Sequence, residues 1–100
     1  MNNLGEQLVA TASIDRARKY DIKFTMFLNE CMGKFTSNDW GDTANDSVEQ
    51  NNAIVNGQEG QLFAVYNVPS ELHHCTQEKS IWIITEWDKS VTTILFPSDY

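Results

Sequence analysis

The apolar positions fall into short blocks with two different periods. In Asp21–Gly33, Phe24, Phe27, Leu28, Cys31 and Met32 recur at helical spacing and form one apolar stripe. Asp21 is suited to cap that helix and Gly33 to end it. Asp46-Ser47-Val48-Glu49 has the form of a capping box, with Asp46 as N-cap and Glu49 at N3, and predicts a second helix ending near Asn56-Gly57. That helix is rich in Asn and Gln, so it is expected on the surface with few anchoring side chains.

Three further blocks read as strands. Gln61–Val68 is bounded by Pro69, and Ser80–Trp87 and Val91–Phe96 are joined by the tight turn Trp87-Asp88-Lys89-Ser90, which lacks the glycine that primed turns prefer. In Ser80–Trp87, alternation puts Ile81, Ile83, Thr85 and Trp87 on one face and Trp82, Ile84 and Glu86 on the other. Both faces are partly apolar, which predicts a central strand. Gln7–Ile14 reads as an edge strand or as the start of a helix reaching Arg18, and its β-branched content favours the strand. Asp15–Tyr20 reads as a connection, and Lys34–Ala44 and Ser70–Glu78 read as loops.

Together these blocks predict a single α+β domain over residues 1–100. Its antiparallel sheet has three or four strands and a C-terminal β-hairpin, and two helices pack on one face. A chain of 100 residues with 41% hydrophobic content supports one modest core. No apolar run approaches the ~20 residues of a membrane span. Met1–Gln7 has neither a basic nor an apolar leader segment, so no secretory signal is expected and the cytoplasm is the expected compartment. Cys31 and Cys75 are far apart and outside any metal-binding spacing, which favours free thiols.

Charge changes the picture. The net charge is −7, and it is unevenly spread. Arg16, Arg18, Lys19 and Lys23 cluster near the start, whereas Phe35–Glu78 contains no Lys or Arg and holds Asp39, Asp42, Asp46, Glu49, Glu59, Glu71 and Glu78. Such a block repels phosphates, so direct nucleic-acid binding is not expected. It suits a basic protein partner, nucleic-acid mimicry or a plain solvated face.

Three constellations could carry chemistry. In Asp39-Trp40-Gly41-Asp42, two carboxylates flank an aromatic, and Gly41 allows close backbone approach to a ligand; the same residues also suit a structural role, with Trp40 plugging the core edge and the aspartates capping turns. His73-His74-Cys75 offers metal-ligating types, but adjacent side chains diverge and no second cluster completes a site, so neither a metal nor a cofactor is expected. Glu86, within an apolar strand and facing Thr92 and Thr93 across the hairpin, is either a binding group or an outward residue paired across the strands. No catalytic residue is assigned.

The hairpin Ile81–Tyr100, together with Asp39-Trp40-Gly41-Asp42, resembles a small family encoded on bacterial plasmids, phages and integrative elements. Its members are usually labelled plasmid-related or hypothetical. Some bear a restriction-subunit label that does not suit a chain far too short for a methyltransferase. The resemblance covers about Phe24 to Tyr100. The family pattern has Gly at the place of Asn38, a small residue at Trp87 and Glu at Asp99. What the resemblance implies is genomic context, with no established activity to carry over. The expected function is therefore a non-enzymatic acidic interaction protein that binds a host- or element-encoded protein. The alternative is a small-ligand-binding domain or small enzyme using Asp39, Trp40, Gly41, Asp42 and Glu86. Self-association through an edge strand or the apolar hairpin face is a third route.

Overall fold

A computed structural model describes residues 7–100; Met1–Glu6, most of the segment expected to hold no secretory leader, lie outside the described residues. The chain runs β1 (Gln7–Ala10), α1 (Ala12–Arg18), α2 (Ile22–Thr36), α3 (Asn45–Val55), β2 (Leu62–Asn67), β3 (Ser80–Thr85) and β4 (Val91–Leu95). Short 3-10 turns occupy Ser70–Leu72 and Pro97–Asp99. The strands form one sheet in the order β1-β4-β3-β2. β2–β3 and β3–β4 are antiparallel, as expected of a C-terminal hairpin beside Gln61–Val68. The sheet is not wholly antiparallel, because β1 lies parallel to β4 with Val9 beside Thr93. A parallel pair needs a crossover connection, and the rest of the chain between β1 and β4 supplies it.

Alternation sorts the sheet into two faces. Leu62, Ala64 and Tyr66 of β2, Ile81 and Ile83 of β3, and Ile94 of β4 join the core, where they meet Ile14, Ala17, Phe24, Leu28, Cys31, Phe35 and Ile54 from the helices. Three helices rather than two cover this face. The extra one is α1, which takes in most of the segment expected to be a connection. Ile14 and Ala17 are both buried, and Asp15 and Arg18 pair at 3.2 Å on the exposed side. The strand and helix readings of Gln7–Ile14 are thus each right for part of it: the strand ends at Ala10, and Thr11 is the N-cap of α1. At the sheet's interior end, Thr85 and Thr92 are fully buried cross-strand partners whose hydroxyls satisfy each other at 2.8 Å.

α2 begins as expected. The Asp21 side chain accepts the Lys23 N–H at 2.9 Å, and Phe24, Leu28, Cys31 and Phe35 form the buried stripe. Its end differs from the sequence reading. Gly33 is an ordinary helical position, and the helix continues to Thr36. The stop is at Asn38, whose φ of 62° is left-handed. Asn38 donates its N–H to the Phe35 carbonyl, and Asp39 donates to the Lys34 carbonyl at 2.8 Å. That pair of bonds is the Schellman arrangement, and its left-handed residue is most often glycine. α3 also starts differently. Ala44 is the N-cap, and Asp46 lies inside the first turn, where its Oδ1 accepts the Ser47 N–H, so no capping box forms at Asp46 and Glu49. The hairpin turn replaces the missing glycine with Lys89 at φ 63°. Asp88 Oδ1 accepts both the N–H and the hydroxyl of Ser90, which holds the turn in place.

The two ends of the described chain are tied by Asp99. Its carboxylate accepts from the Thr11 hydroxyl at 2.8 Å, the Ser13 hydroxyl at 2.9 Å and the Phe96 N–H at 3.1 Å. Desolvation opposes its ionisation, but the bonds from Thr11, Phe96 and Ser13, with Arg16 nearby, outweigh that and hold its carboxyl below the usual 3.8. Among the described residues no helix is long and apolar enough to cross a membrane.

Two outcomes follow from these termini and caps. Asn38 Oδ1 is buried without a hydrogen-bond partner among the described residues. Asn38→Gly removes that atom and relieves the left-handed Cβ, so thermal unfolding should show a gain of about 0.5–1 kcal/mol, or roughly 2–8 °C in Tm. Asp99 contributes stability above the unfolded carboxylate pKa of about 3.9 and loses it as pH falls through the lower folded value. Asp99→Asn should therefore lower Tm at neutral pH, with the gap to wild type closing as the scan moves from about pH 5 to about pH 3. A gap that stays constant over that range would show that the carboxylate charge does not matter.

Candidate functional site

The acidic loop Asp39-Trp40-Gly41-Asp42 lies against the outer edge of β2. An edge strand leaves alternate backbone groups without a ladder partner. On β2 those groups belong to Phe63, Val65 and Asn67, and each is met from α3 or the loop. Asn51 accepts the Phe63 N–H at 3.1 Å through Oδ1 and donates through Nδ2 to the Phe63 carbonyl at 2.8 Å. Thr43 Oγ1 accepts the Val65 N–H at 2.8 Å, and the Asp42 N–H donates to the Val65 carbonyl at 2.8 Å. Asp42 Oδ2 accepts the Asn67 N–H at 2.9 Å. Gly41 bridges Val65 in parallel. The loop and one asparagine thus stand in for a fifth strand.

The loop residues are held by the same logic. Trp40 is 5% exposed, packs edge-on to Phe35 at 5.5 Å and donates from Nε1 to Asn52 Oδ1 at 2.8 Å. Its indole fills the core margin rather than a ligand cleft. Asp39 accepts the Gly41 N–H through its side chain, and its carbonyl accepts from the buried Tyr66 hydroxyl at 2.8 Å. Burial pushes the Tyr66 hydroxyl well above its ordinary pKa. Gly41 has φ 59°, and a Cβ there would sit 2.7 Å from Tyr66 Cε1. The glycine lets the loop approach β2 closely.

Glu86 does not join this loop. Asp42 meets Asn67, which pairs with Ser80 at the start of β3, whereas Glu86 follows the end of β3. Its backbone closes the hairpin, donating to the Val91 carbonyl at 2.9 Å and accepting from Lys89. Its side chain is exposed. In His73-His74-Cys75 the groups also separate. His74 Nε2 lies 2.9 Å from Asp21 Oδ2, while Cys75 is buried. That contact comes second to the Lys23 N–H in keeping the Asp21 carboxyl below its ordinary range. Cys31 is buried in the core, and desolvation pushes its thiol up to about 12. Among the described residues no three His, Cys, Asp or Glu side chains are grouped to hold a metal ion.

The face of the sheet that carries Trp82, Ile84 and Glu86 in the sequence alternation lies opposite the helices. Val9, Thr93, Ile84 and Phe63 form one row across all four strands, and Leu95, Trp82 and Val65 form the next. Trp82 stands edge-on between Phe63 at 5.0 Å and Tyr100 at 5.6 Å. These rings shelter Ile84 and Leu95, each 5% exposed, yet among the described residues no α-helix lies over them, and Tyr100 is 78% exposed. Glu86 sits at the rim of this face, as alternation in β3 places it. The signal was present in the apolar residues on both faces of Ser80–Trp87. Apolar residues on both faces mark a central strand, and β3 is central in the sheet.

Among the described residues, the fold and surface define an acidic α+β domain with one sheet edge closed and one sheet face without a covering helix. No family model, no curated protein and no solved structure matches the chain.

The edge closure can be tested at Asn51, which is 1% exposed. Asn51→Ala leaves both the N–H and the C=O of Phe63 without a partner, at about 1–3 kcal/mol for each group. Chemical denaturation should show a loss of about 2–5 kcal/mol, and hydrogen exchange should show Phe63 losing protection before β3 does. A loss below 1 kcal/mol would mean that solvent replaces the side chain without cost.

Proposed function

We propose that this protein is a non-enzymatic interaction module whose helix-free sheet face binds another protein. The observation that carries the reading is the two-row apolar surface, in which Phe63, Trp82 and Tyr100 form an aromatic ladder with no charged side chain between the rows. Aromatic residues dominate interface energetics because each buries about 150–250 Å². They recur at binding hot spots, where their bulk brings large desolvation with little loss of side-chain freedom. A contiguous apolar patch rimmed by polar residues marks an interaction site more often than chance.

The acidic balance supports a protein over a nucleic acid as the partner. Bases could stack on such rings, but the net charge of −7 repels the phosphates that would come with them. A ligand pocket formed by Asp39, Trp40, Gly41, Asp42 and Glu86 is the weaker reading, since Trp40 is turned into the core and Glu86 lies at the far end of β3. The resemblance to proteins of mobile elements agrees with a host- or element-encoded protein as the partner and the cytoplasm as the compartment.

The test is capture of the tagged protein from host cells at low and at high salt, with Val65→Glu as the comparison. Val65 projects onto the open face and is half-buried, so a carboxylate there spoils the patch without entering the core. The expected result is a stoichiometric partner retained at high salt, because an apolar contact is little screened. Val65→Glu should lower its affinity by about 30-fold or more, the equivalent of at least 2 kcal/mol. Equal capture by both proteins, or capture lost at high salt alone, would move the interface from this face to the acidic surface.

A further inference from the structure

The two edges of the sheet are unlike. The outer edge of β2 is closed by Asn51, Thr43 and Asp42, whereas among the described residues β1 has a ladder partner on one side only. Gln7 donates to the Ser90 carbonyl and Thr11 to the Ile94 carbonyl, both at 3.1 Å. In a parallel ladder the residues bonded to one neighbour alternate with residues whose N–H and C=O point the other way. Leu8 and Ala10 therefore aim their backbone groups outward, where no strand lies among the described residues. Leu8 is 44% exposed and Val9 37%. Beside this edge is a groove of about 190 Å³ between β1 and α2. Leu8, Ala10 and Ile94 face it from the sheet and Leu28 and Met32 from α2, while Arg18 is the one charged residue among its lining. A cavity of about 150 Å³ is enough to hold a benzene ring, so this groove has room for one large apolar side chain.

We infer that β1 is a strand-addition site for an extended segment of a partner protein that carries an apolar residue and, two positions away, an Asp or Glu. The outward N–H and C=O of Leu8 and Ala10 supply the backbone bonds of such an addition. Residues at i and i+2 of the incoming strand face the same side. The apolar one enters the groove over Leu28 and Met32, and the acidic one meets Arg18. The Arg18 guanidinium touches Asp15 at 3.2 Å through one nitrogen, and its side chain is 46% exposed, so donors remain for a second carboxylate. Arg16 on the same helix and Lys19 at its C-cap add to the positive potential of this end, in a molecule of net charge −7. A second copy of this chain fits less well. It would set the two α1 cation clusters near each other. This site is distinct from the open sheet face, so neither depends on the other.

The experiment is selection of a random dodecapeptide library on the intact protein, followed by titration of the enriched peptide into isotopically labelled wild type, Ala10→Pro and Arg18→Glu. Proline at Ala10 removes an outward N–H and leaves the bonds from Gln7 and Thr11 to β4 in place. The expected result is an apolar-x-acidic consensus, shift changes confined to β1, α1 and the facing turns of α2, and new exchange protection at Leu8 and Ala10. Ala10→Pro and Arg18→Glu should each weaken binding about tenfold or more, and Val65→Glu should leave it unchanged. The proposal is overturned if the consensus is basic, if Ala10→Pro and Arg18→Glu bind as wild type does, or if the shifts map to Phe63 and Trp82. It is equally overturned if the peptide-free protein sediments as a dimer with the Leu8 and Ala10 amides already protected, since the occupant is then a second copy.

Discussion

A sheet built from four short strands has more backbone donors and acceptors than its own ladders can satisfy, and each one left unpaired in a dry place costs about 1–3 kcal/mol. The arrangement of this molecule follows from how that demand is met at β2. Asn51 presents an amide to Phe63 much as a neighbouring peptide would, Thr43 and the Asp42 backbone serve Val65, and Asp42's carboxylate serves Asn67. For these groups to reach β2, α3 must lie along it and the loop before α3 must run parallel to it. That route turns Trp40 inward and requires a glycine at Gly41, where the chain passes under the Tyr66 ring. The Schellman turn at Asn38 gives the chain its change of direction from α2 into that path.

Side-chain closure has a second consequence. β-sheet edges invite further strands, and proteins suppress this with charges, bulges or covering segments. Here the covering is made of hydrogen bonds rather than another strand, so the edge is closed while the sheet stays at four strands. All three helices lie on the other side of the sheet from the Phe63–Trp82–Tyr100 ladder. A two-layer domain of this size has enough helix to bury one sheet face but not both. The rings on the uncovered face shield Ile84 and Leu95 from water themselves. That lets the face stand without a helix over it.

Charge and shape divide between different regions. The carboxylates of the middle segment are partly spent on structure, since Asp39 and Asp42 accept backbone N–H groups of the loop and of β2. At the opposite end of the sheet, the cations of α1 accompany the open edge of β1 and the groove beside α2. The helix that carries them is anchored by Asp99 through Thr11 and Ser13, so the C-terminal turn sets where α1 sits relative to β1.

Much of the architecture could be read from the chain because it rests on local periodicity. The apolar blocks Gln61–Val68, Ser80–Trp87 and Val91–Phe96 mark the hairpin and its neighbour, and the stripe from Phe24 to Met32 with Asp21 as cap marks α2. Where the reading failed, the deciding term was not local. Gly33 is a helix breaker by propensity, but burial of Phe35 in the core carries the helix past it. Asp46 and Glu49 have the form of a capping box, but the side-chain bonds from Asn51 to Phe63 set the register of α3 and move its start. The polar composition of α3 suggested weak anchoring, whereas Asn51 is among its firmest anchors, because an amide can replace a strand only after the strand has been placed beside it. For the same reason the motif Asp39–Asp42 reads equally as a binding loop and as a structural one in sequence. The residue pattern and charge of the sequence by themselves determined an acidic α+β protein. Tertiary structure alone decided which edge is closed, which face is bare and which carboxylates are already engaged, since hydrogen-bond satisfaction and burial are properties of neighbours far apart along the chain.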